Sequence, residues 1–366
     1  MLSHAILEDV SAEHPAVDEV EVSLFGPGLG ECVVVHLGNA EWMVVDSCVR
    51  AQESTPIALE YLEKLGVDIG ASITTIVASH WHDDHVTGIS DIFERAHAAK
   101  FYAASALSGD EFRALTMRKP VRSRFSSGVS ELGRVRELVE SRKGSAGGHL
   151  SLVSAGRRIR NRRDSPVSEI WSLSPSDTDL LRGIDGMAAA LGSANGGVSR
   201  VATMDANDLS VVLQLETVAG SILLGGDLEN RGDVTRGWRA VVRDANRPPG
   251  MSSLYKIPHH GSRTADSDEI WQQLIKDDAL CILAPYERGV IVPGEKDIDK
   301  LRSRSSNIYI TSQRKRPAVH RDPAVAKMIN QATRSYSPNR LTMGHLQVRS
   351  NGGPWEIRGS NTSFRL

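Results

Sequence analysis

The chain has 366 residues, 40% of them hydrophobic and 24% charged, with a formal net charge of −2. That balance excludes a disordered, coiled-coil or collagen-like chain and leaves ample material for a packed core. No run approaches the ~20 consecutive apolar residues of a membrane helix, and the acidic start MLSHAILEDVSAEHP is expected to lack a signal peptide. The opening elements then read as a meander. VEVSLFGPGLG at 20–30 alternates into a Gly-rich turn, CVVVHLG at 32–38 is a second strand, and WMVVDSC at 42–48 a third that ends on Asp46. Helical spacing in TPIALEYLEKLG at 55–66 predicts a helix with Gly66 as its C-cap. ITTIVASH at 73–80 is a short apolar strand, followed by a predicted helix at 87–98 and a strand at 100–104.

Residues 107–165 read as a basic insertion with one helix at 130–143, and RRIRNRRD at 157–164 is expected to be an exposed loop. Strands resume at 168–173 (SEIWSL), 208–216 (DLSVVLQLE) and 220–226 (GSILLGG), with a Gly-rich loop near 192–197. YKIP then leads into HHGS at 259–262. A helix at 266–277, a strand at 280–284, an α/β piece at 296–312 and a Pro/Gly-rich tail follow. Strand runs with helices after some of them occur in both halves, which predicts two sheets packed face to face with helices outside. Cys32, Cys48 and Cys281 are too few and too scattered for a zinc ribbon or a disulfide framework, so a reducing cytoplasm is the expected setting. Charge is unevenly spread: from Arg113 to Arg163, 12 Arg and 2 Lys face three Glu, a surplus of about +11. Such asymmetry fits either a surface that meets polyanions or a solvated insertion.

The chemistry concentrates in His80-Trp81-His82-Asp83-Asp84-His85, directly after a predicted strand. Residues i and i+2 of a strand share a face, so His80 and His82 can converge on one ion, and the following turn returns Asp84 and His85 to its side. Imidazole suits Zn and Fe, and carboxylate suits harder ions such as Mn, so two adjacent metal positions are expected. Asp46, Asp227, His259 and His260 each follow a predicted strand and are expected at the same sheet edge. A lone strand-ending Asp is commonly a turn or cap residue; the ordered series is what makes these candidates.

In this order the motifs resemble those of the metallo-β-lactamase-fold hydrolases, over roughly residues 20–285. The stretches FGPGLGECVVVHL, NDLSVVLQLE, SILLGGDLE and YKIPHHGS look most like the ComEC-type competence group. The resemblance implies an α/β fold, the αββα four-layer sandwich, as a single domain over 1–366. A basic insertion at about 107–165 and a C-terminal extension at about 313–366 would be added to it. It implies metal ligands His80, His82, Asp84, His85 and Asp227 and one of the two late histidines. The P-x-H-G string of flavodiiron-type members favours His260, leaving His259 to meet substrate or orient a ligand, and making it, with Asp84, a catalytic candidate. Asp46 is expected to support the His string from behind, and Ser262 to stand near the ions or cap the next helix. Many family members carry a further His between the first motif and Asp227. Here His97 falls in a predicted helix and His149 in the insertion, and neither has a convincing context. APYERGVIVPGEKD after Cys281 matches only loosely, and with no hydrophobic channel domain a DNA-uptake channel is not expected.

Two divalent ions, Zn or Mn, ~3.5–4 Å apart can lower the pKa of a shared water and clamp attacking and leaving oxygens. A metal-bound hydroxide is then the expected nucleophile, oriented by Asp84. Such a centre opens phosphodiesters, β-lactams, thioesters or lactones, and the arginine surplus turns the choice toward nucleic acid. Arg157, Arg158, Arg160, Arg162 and Arg163, with RSR at 122–124 and QRKR at 313–316, are expected to hold the phosphate backbone. Aromatics are only 5% of the chain, so backbone contacts are favoured over base stacking. The expected protein is a cytoplasmic nuclease or phosphodiesterase of bacterial DNA processing or phage defence, a role resting on analogy. The alternatives are a small-molecule hydrolase (lactonase, thioesterase or β-lactamase-like) and a non-catalytic subunit with a protein partner in a larger complex.

Overall fold

The computed structural model describes residues 7–27, 30–50, 53–108, 127–142, 150–192, 205–288, 290–312 and 342–366, and Val325 and Met328 besides. Two eight-stranded sheets carry the chain. In the first, β1 (Val20–Gly26), β2 (Cys32–His36) and β3 (Trp42–Val45) form an antiparallel meander. It continues through parallel pairing into β4 (Ile73–Val77), β5 (Lys100–Ala104) and β6 (Leu150–Val153). In the second, β7 (Arg157–Asn161), β8 (Val167–Ser172), β9 (Leu213–Thr217) and β10 (Gly220–Leu224) pair antiparallel. From β10 the pairing is parallel through β11 (Ser252–Lys256), β12 (Ile275–Leu283) and β15 (Ile308–Ile310). A small hairpin, β13 (Tyr286–Arg288) and β14 (Val290–Val292), follows β12.

Buried β-branched and aliphatic residues explain the layering. Val22, Leu24, Val44 and Ile76 of the first sheet share one apolar cluster with Ile170, Leu215, Ile222 and Leu254 of the second. Helices α1 (Ile57–Lys64), α4 (Ile89–Arg95) and α5 (Ser127–Ser141) add Leu62, Phe93 and Val135 to that cluster. A separate cluster joins the second sheet's Leu223, Tyr255 and Cys281 to Trp238 of α7 (Gly237–Arg243), Ile270 of α8 (Asp268–Gln273) and Leu301 of α9 (Glu295–Arg304). The result is the helix–sheet–sheet–helix sandwich expected from the sequence. No helix among the described residues is long and apolar enough to cross a membrane.

Four local expectations change. Residues 157–161 form edge strand β7 instead of a loop, because Ile159 packs on the core and Arg157, Arg158, Arg160 and Asn161 pair with β8 across a register shift at Ile159; edge strands tolerate charge. The tail is more than a Pro/Gly-rich close. β16 (Gly344–Ser350) lies between β1 and β17 (Glu356–Gly359), and β18 (Phe364–Arg365) pairs with β15. Leu346 and Val348 alternate with His345, Gln347 and Arg349, which is strand periodicity. The expected helix at 87–98 is the shorter α4 alone, starting after Gly88 at φ 81°, and a separate turn of helix, α3 (Asp83–Val86), precedes it. Likewise 266–277 is helical only to Gln273 before β12 begins. The Gly-rich residues 193–197, RSR at 122–124, QRKR at 313–316 and His149 lie outside the described residues.

Candidate metal centre

Parallel strands end at a common edge, and in open α/β sheets that edge is where ligands gather. Asp46 follows β3, with its amide donating to Val77 at 2.8 Å and a left-handed φ of 61°. Its Oδ1 accepts the Ser79 amide at 2.7 Å, and its Oδ2 accepts the Ser79 hydroxyl and faces His85 Nδ1, each at 2.7 Å. That contact turns His85 Nε2 to within 3.2 Å of Asp227 Oδ2. His80 leaves β4 fully buried, with Nε2 3.1 Å from His82 Nδ1, and α3 brings Asp84 and His85 back. Asp227 leaves β10 through Gly226, at φ 50°, where a Cβ would stand 2.6 Å from Ser210 Oγ. At Gly30 a Cβ would overlap the Asp84 carbonyl, so only glycine lets the Glu31 amide donate to that oxygen at 3.0 Å. His260 follows β11, with Nδ1 3.1 Å from the Ala284 carbonyl and Nε2 3.5 Å from Asp84 Oδ2.

Three groups of donor atoms lie within 4.8 Å of one another: His80, His85 and Asp227; Asp84, His85 and His260; Glu31, Asp46 and His85. His82 stands beside them, reaching the cluster through His80. His85 Nε2, His260 Nε2 and Asp227 Oδ1 are buried without a hydrogen-bond partner. An unsatisfied buried polar atom costs about 1–3 kcal/mol, and a divalent cation would satisfy all three together. The residues present therefore fit such ions, with imidazole and carboxylate in mixture. Electrostatics agree. Burial disfavours charge on His85 and His260, yet Asp227 and Asp46 hold His85 well above the usual histidine range, and Asp227 and Glu31 push His260 up to about 10. Burial, reinforced by His85, drives His80 the other way and keeps it neutral. Burial opposes ionisation of Asp227 too, but His85 and His260 hold it well below the carboxylate range. Proton and cation compete for the same nitrogens.

Of the two late histidines, His260 belongs to the donor groups. His259 turns to a neighbouring set: Nδ1 lies 3.1 Å from both Glu229 Oε1 and Thr264 Oγ1, and Nε2 3.5 Å from Asn207 Nδ2. Glu229 is further held by Asn207 at 3.0 Å and Arg231 at 3.2 Å. Ser262 caps the turn Arg263–Ala265 through the Thr264 amide. His97 lies against Gly70, just before β4 begins, at the opposite end of that strand from His80. Sequence reasoning assigned nothing to Glu31, Lys256, Glu229 or Asn207. The available signal was a charged residue set inside the apolar runs ECVVVH and YKIP.

The arginines divide by position. Arg157 pairs with Ser172, in the row that continues through Leu213 to Leu224, near the metal edge. Arg160 and Arg162 contact Glu41, at 2.6 and 3.3 Å, at the far end where β3 begins. Arg157 donates to the Leu152 carbonyl, and Arg158 pairs with Glu169 at 3.0 Å and lies over Trp171. Arg163 makes no ion pair among the described residues.

Imidazoles and carboxylates gathered at the strand edge of a four-layer sandwich define a metal-dependent hydrolase fold. The chain belongs to the metallo-beta-lactamase superfamily (Lactamase_B), whose family model matches residues 25–277. Among solved structures it is similar to the metallo-beta-lactamase fold protein YhfI from Bacillus subtilis, at 11% identity, 81% of this chain, 97% of that chain and TM-score 0.39. It is also similar to MEM-A1, a subclass B3 metallo-beta-lactamase from a soil metagenome library, at 11% identity, 62% of this chain and TM-score 0.32. The chain spans 63% of the length of MEM-A1. No curated protein matches it.

Proposed function

We propose that the protein is a divalent-metal phosphodiesterase acting on the nucleic-acid backbone, in keeping with the ComEC-like motifs of its second half. The observation that carries the metal chemistry is the convergence of His85 Nε2, His260 Nε2 and Asp227 Oδ1, all buried and without hydrogen-bond partners. Asp84, His85 and His260 would hold one ion, and His80, with His82 and Asp227 beside it, a second; the single free nitrogen of His85 can serve only one of them. Bound divalent ions polarise a phosphoryl oxygen and lower the pKa of water. Asp84 orients the attacking water. His259, its Nδ1 held by Glu229, would protonate the leaving oxygen from Nε2 in its imidazolium form, which carries hydrogen on both ring nitrogens.

Charge supports the phosphodiester. Of the described arginines in the surplus at 113–163, Arg157 lies in the row of β7–β10 that ends near the metal edge. A second reading, a small-molecule hydrolase, draws on the internal partners of Arg157, Arg158, Arg160 and Arg162, which leave less basic surface for a polyanion. The test is turnover of DNA, RNA, cyclic nucleotides and bis-p-nitrophenyl phosphate under Mn²⁺, Zn²⁺ or EDTA, beside lactone, thioester and β-lactam substrates. Metal-dependent phosphodiester cleavage is expected. Turnover of the small acyl substrates alone overturns the proposal.

A further inference from the structure

Lys256, the last residue of β11, is 1% exposed. A buried ammonium needs full pairing. Its Nζ pairs with Glu31 Oε1 and donates to the Gly226 carbonyl at 3.1 Å. Glu31 comes from the other sheet, one residue before β2, and is 2% exposed. Its Oε2 lies 3.4 Å from His260 Nδ1, and its Oε1 lies 3.9 Å from His85 Nδ1. Gly226 immediately precedes Asp227, and its carbonyl also accepts the His259 amide at 3.0 Å. One ammonium thus touches both the carboxylate behind two imidazoles and the turn that presents a third ligand.

The consequence for His260 is a choice of tautomer. Its Nδ1 faces two acceptors, the Ala284 carbonyl and Glu31 Oε2. With acceptors on that side, Nδ1 carries the hydrogen and Nε2 offers its lone pair to the cluster, the arrangement that makes imidazole a ligand. Glu31 can hold that post only while its other oxygen is anchored, and Lys256 is the anchor.

We propose that Lys256 is a positioning residue of the metal centre: through Glu31 it sets the ring of His260, and through the Gly226 carbonyl it sets the turn of Asp227. Donors from two sheets are thereby brought onto the same ions. The inference rests on the metal-centre reading above. The competing account is an ordinary salt bridge that ties the sheets together and leaves the ligands as they are.

The experiment compares wild type with Lys256→Met, Glu31→Gln/Lys256→Met and Glu31→Asp. Each is titrated with Co²⁺ while its visible absorption is recorded, and melted after EDTA treatment. The double variant removes both charges and leaves none unpaired, and Glu31→Asp keeps the ion pair but draws the carboxylate back from His260. Both are expected to bind Co²⁺ roughly 10–100-fold more weakly, the usual cost of losing a group behind a ligand, with an altered absorption band. Their metal-free melting is expected to stay near wild type. Wild-type Co²⁺ affinity and spectrum in both variants overturn the positioning role. If the double variant does not fold, Glu31→Asp decides alone. Wild-type protein that takes up no Co²⁺, Zn²⁺ or Mn²⁺ instead overturns the metal-centre reading itself.

Discussion

Two clusters of buried polar side chains share the first sheet. One lies between β1, β16 and α1. There Tyr61 and Ser23 donate to Glu21 Oε1 at 2.6 and 2.8 Å, Arg349 Nε donates to Glu21 Oε2 at 2.8 Å, and Gln347 donates to the Tyr61 hydroxyl at 2.9 Å. His345 Nε2 adjoins Ser23 Oγ at 2.9 Å. No buried side-chain atom of these residues lacks a partner. The other cluster is the metal edge, where His85 Nε2, Asp227 Oδ1 and His260 Nε2 all do. Both are buried and rich in charge. Buried polar atoms are nearly always satisfied, so the exceptions are informative. The closed cluster needs nothing from outside and fixes a strand; the donors of the other fit a cation.

The sharpest way to break this contrast is at His85, the residue common to all three donor groups. His85→Ala should lose nearly all bound metal by elemental analysis and lower turnover on the order of 1,000-fold, equivalent to the several kcal/mol a metal supplies. Asp227→Asn should do the same while the fold survives, since the amide keeps the shape but not the charge that would balance a bound dication. His82→Ala should lose less, because His82 only adjoins the set. Full metal content in His85→Ala removes the metal edge from the chemistry.

Next comes Arg349→Met in the closed cluster. It leaves Glu21 buried without its cation and should cost about 3 kcal/mol of stability. Metal bound per folded molecule should not change. A loss of metal without a fall in melting temperature would mean that the two clusters are not separate.

Acid and alkali should separate them further. Burial holds His345 down to about 3 and His36 to about 4, below the ~6.5 of an unfolded histidine. Their contribution is therefore complete above pH ~6.5 and lost as pH falls toward those values. His260, raised to about 10, has the opposite sign in metal-free protein: its contribution is complete below ~6.5 and lost as pH rises through about 10. Melting curves across pH should show His345→Gln flattening the acid limb alone, and Zn²⁺ should abolish the alkaline limb by replacing the proton. An alkaline limb unchanged by Zn²⁺ would contradict the assignment of His260.

The smallest effects are expected at the arginines. Neutralising Arg157 and Arg158 should weaken DNA and RNA binding and lower the salt slope by roughly one per lost contact. Neutralising Arg160 and Arg162, which face Glu41 at the far end, should leave isotherms at two salt concentrations unchanged. Hydrolysis of bis-p-nitrophenyl phosphate should survive in both. Equal loss of binding from the two pairs would place the nucleic acid away from the metal edge.

How far the sequence could be read follows the same division. The His80–His85 string is contiguous, and Asp46 and Asp227 each end an apolar run, so the metal edge was legible from local pattern. Lys256 and Glu31 meet from different sheets, and neither run shows the pairing. Residues 157–161 looked like a loop because their charges hid one packed residue, Ile159, even though the partner strand β8 follows directly in the chain. β16 offers only two apolar residues, Leu346 and Val348, and its place beside β1 depends on a pairing that no local window contains.

That pairing has a consequence for synthesis. Glu21 and Arg349 are 328 residues apart. At ~5–20 residues per second on the ribosome, β1 waits on the order of tens of seconds for the strand that covers its edge. A bare strand edge invites pairing with the wrong chain. During that interval Glu21 is an unpaired carboxylate on the nascent edge, and an intruding strand would have to bury it without a cation. Only the chain's own late arginine makes that burial favourable, so the residue that is locked away in the finished protein guards the chain while it is being made.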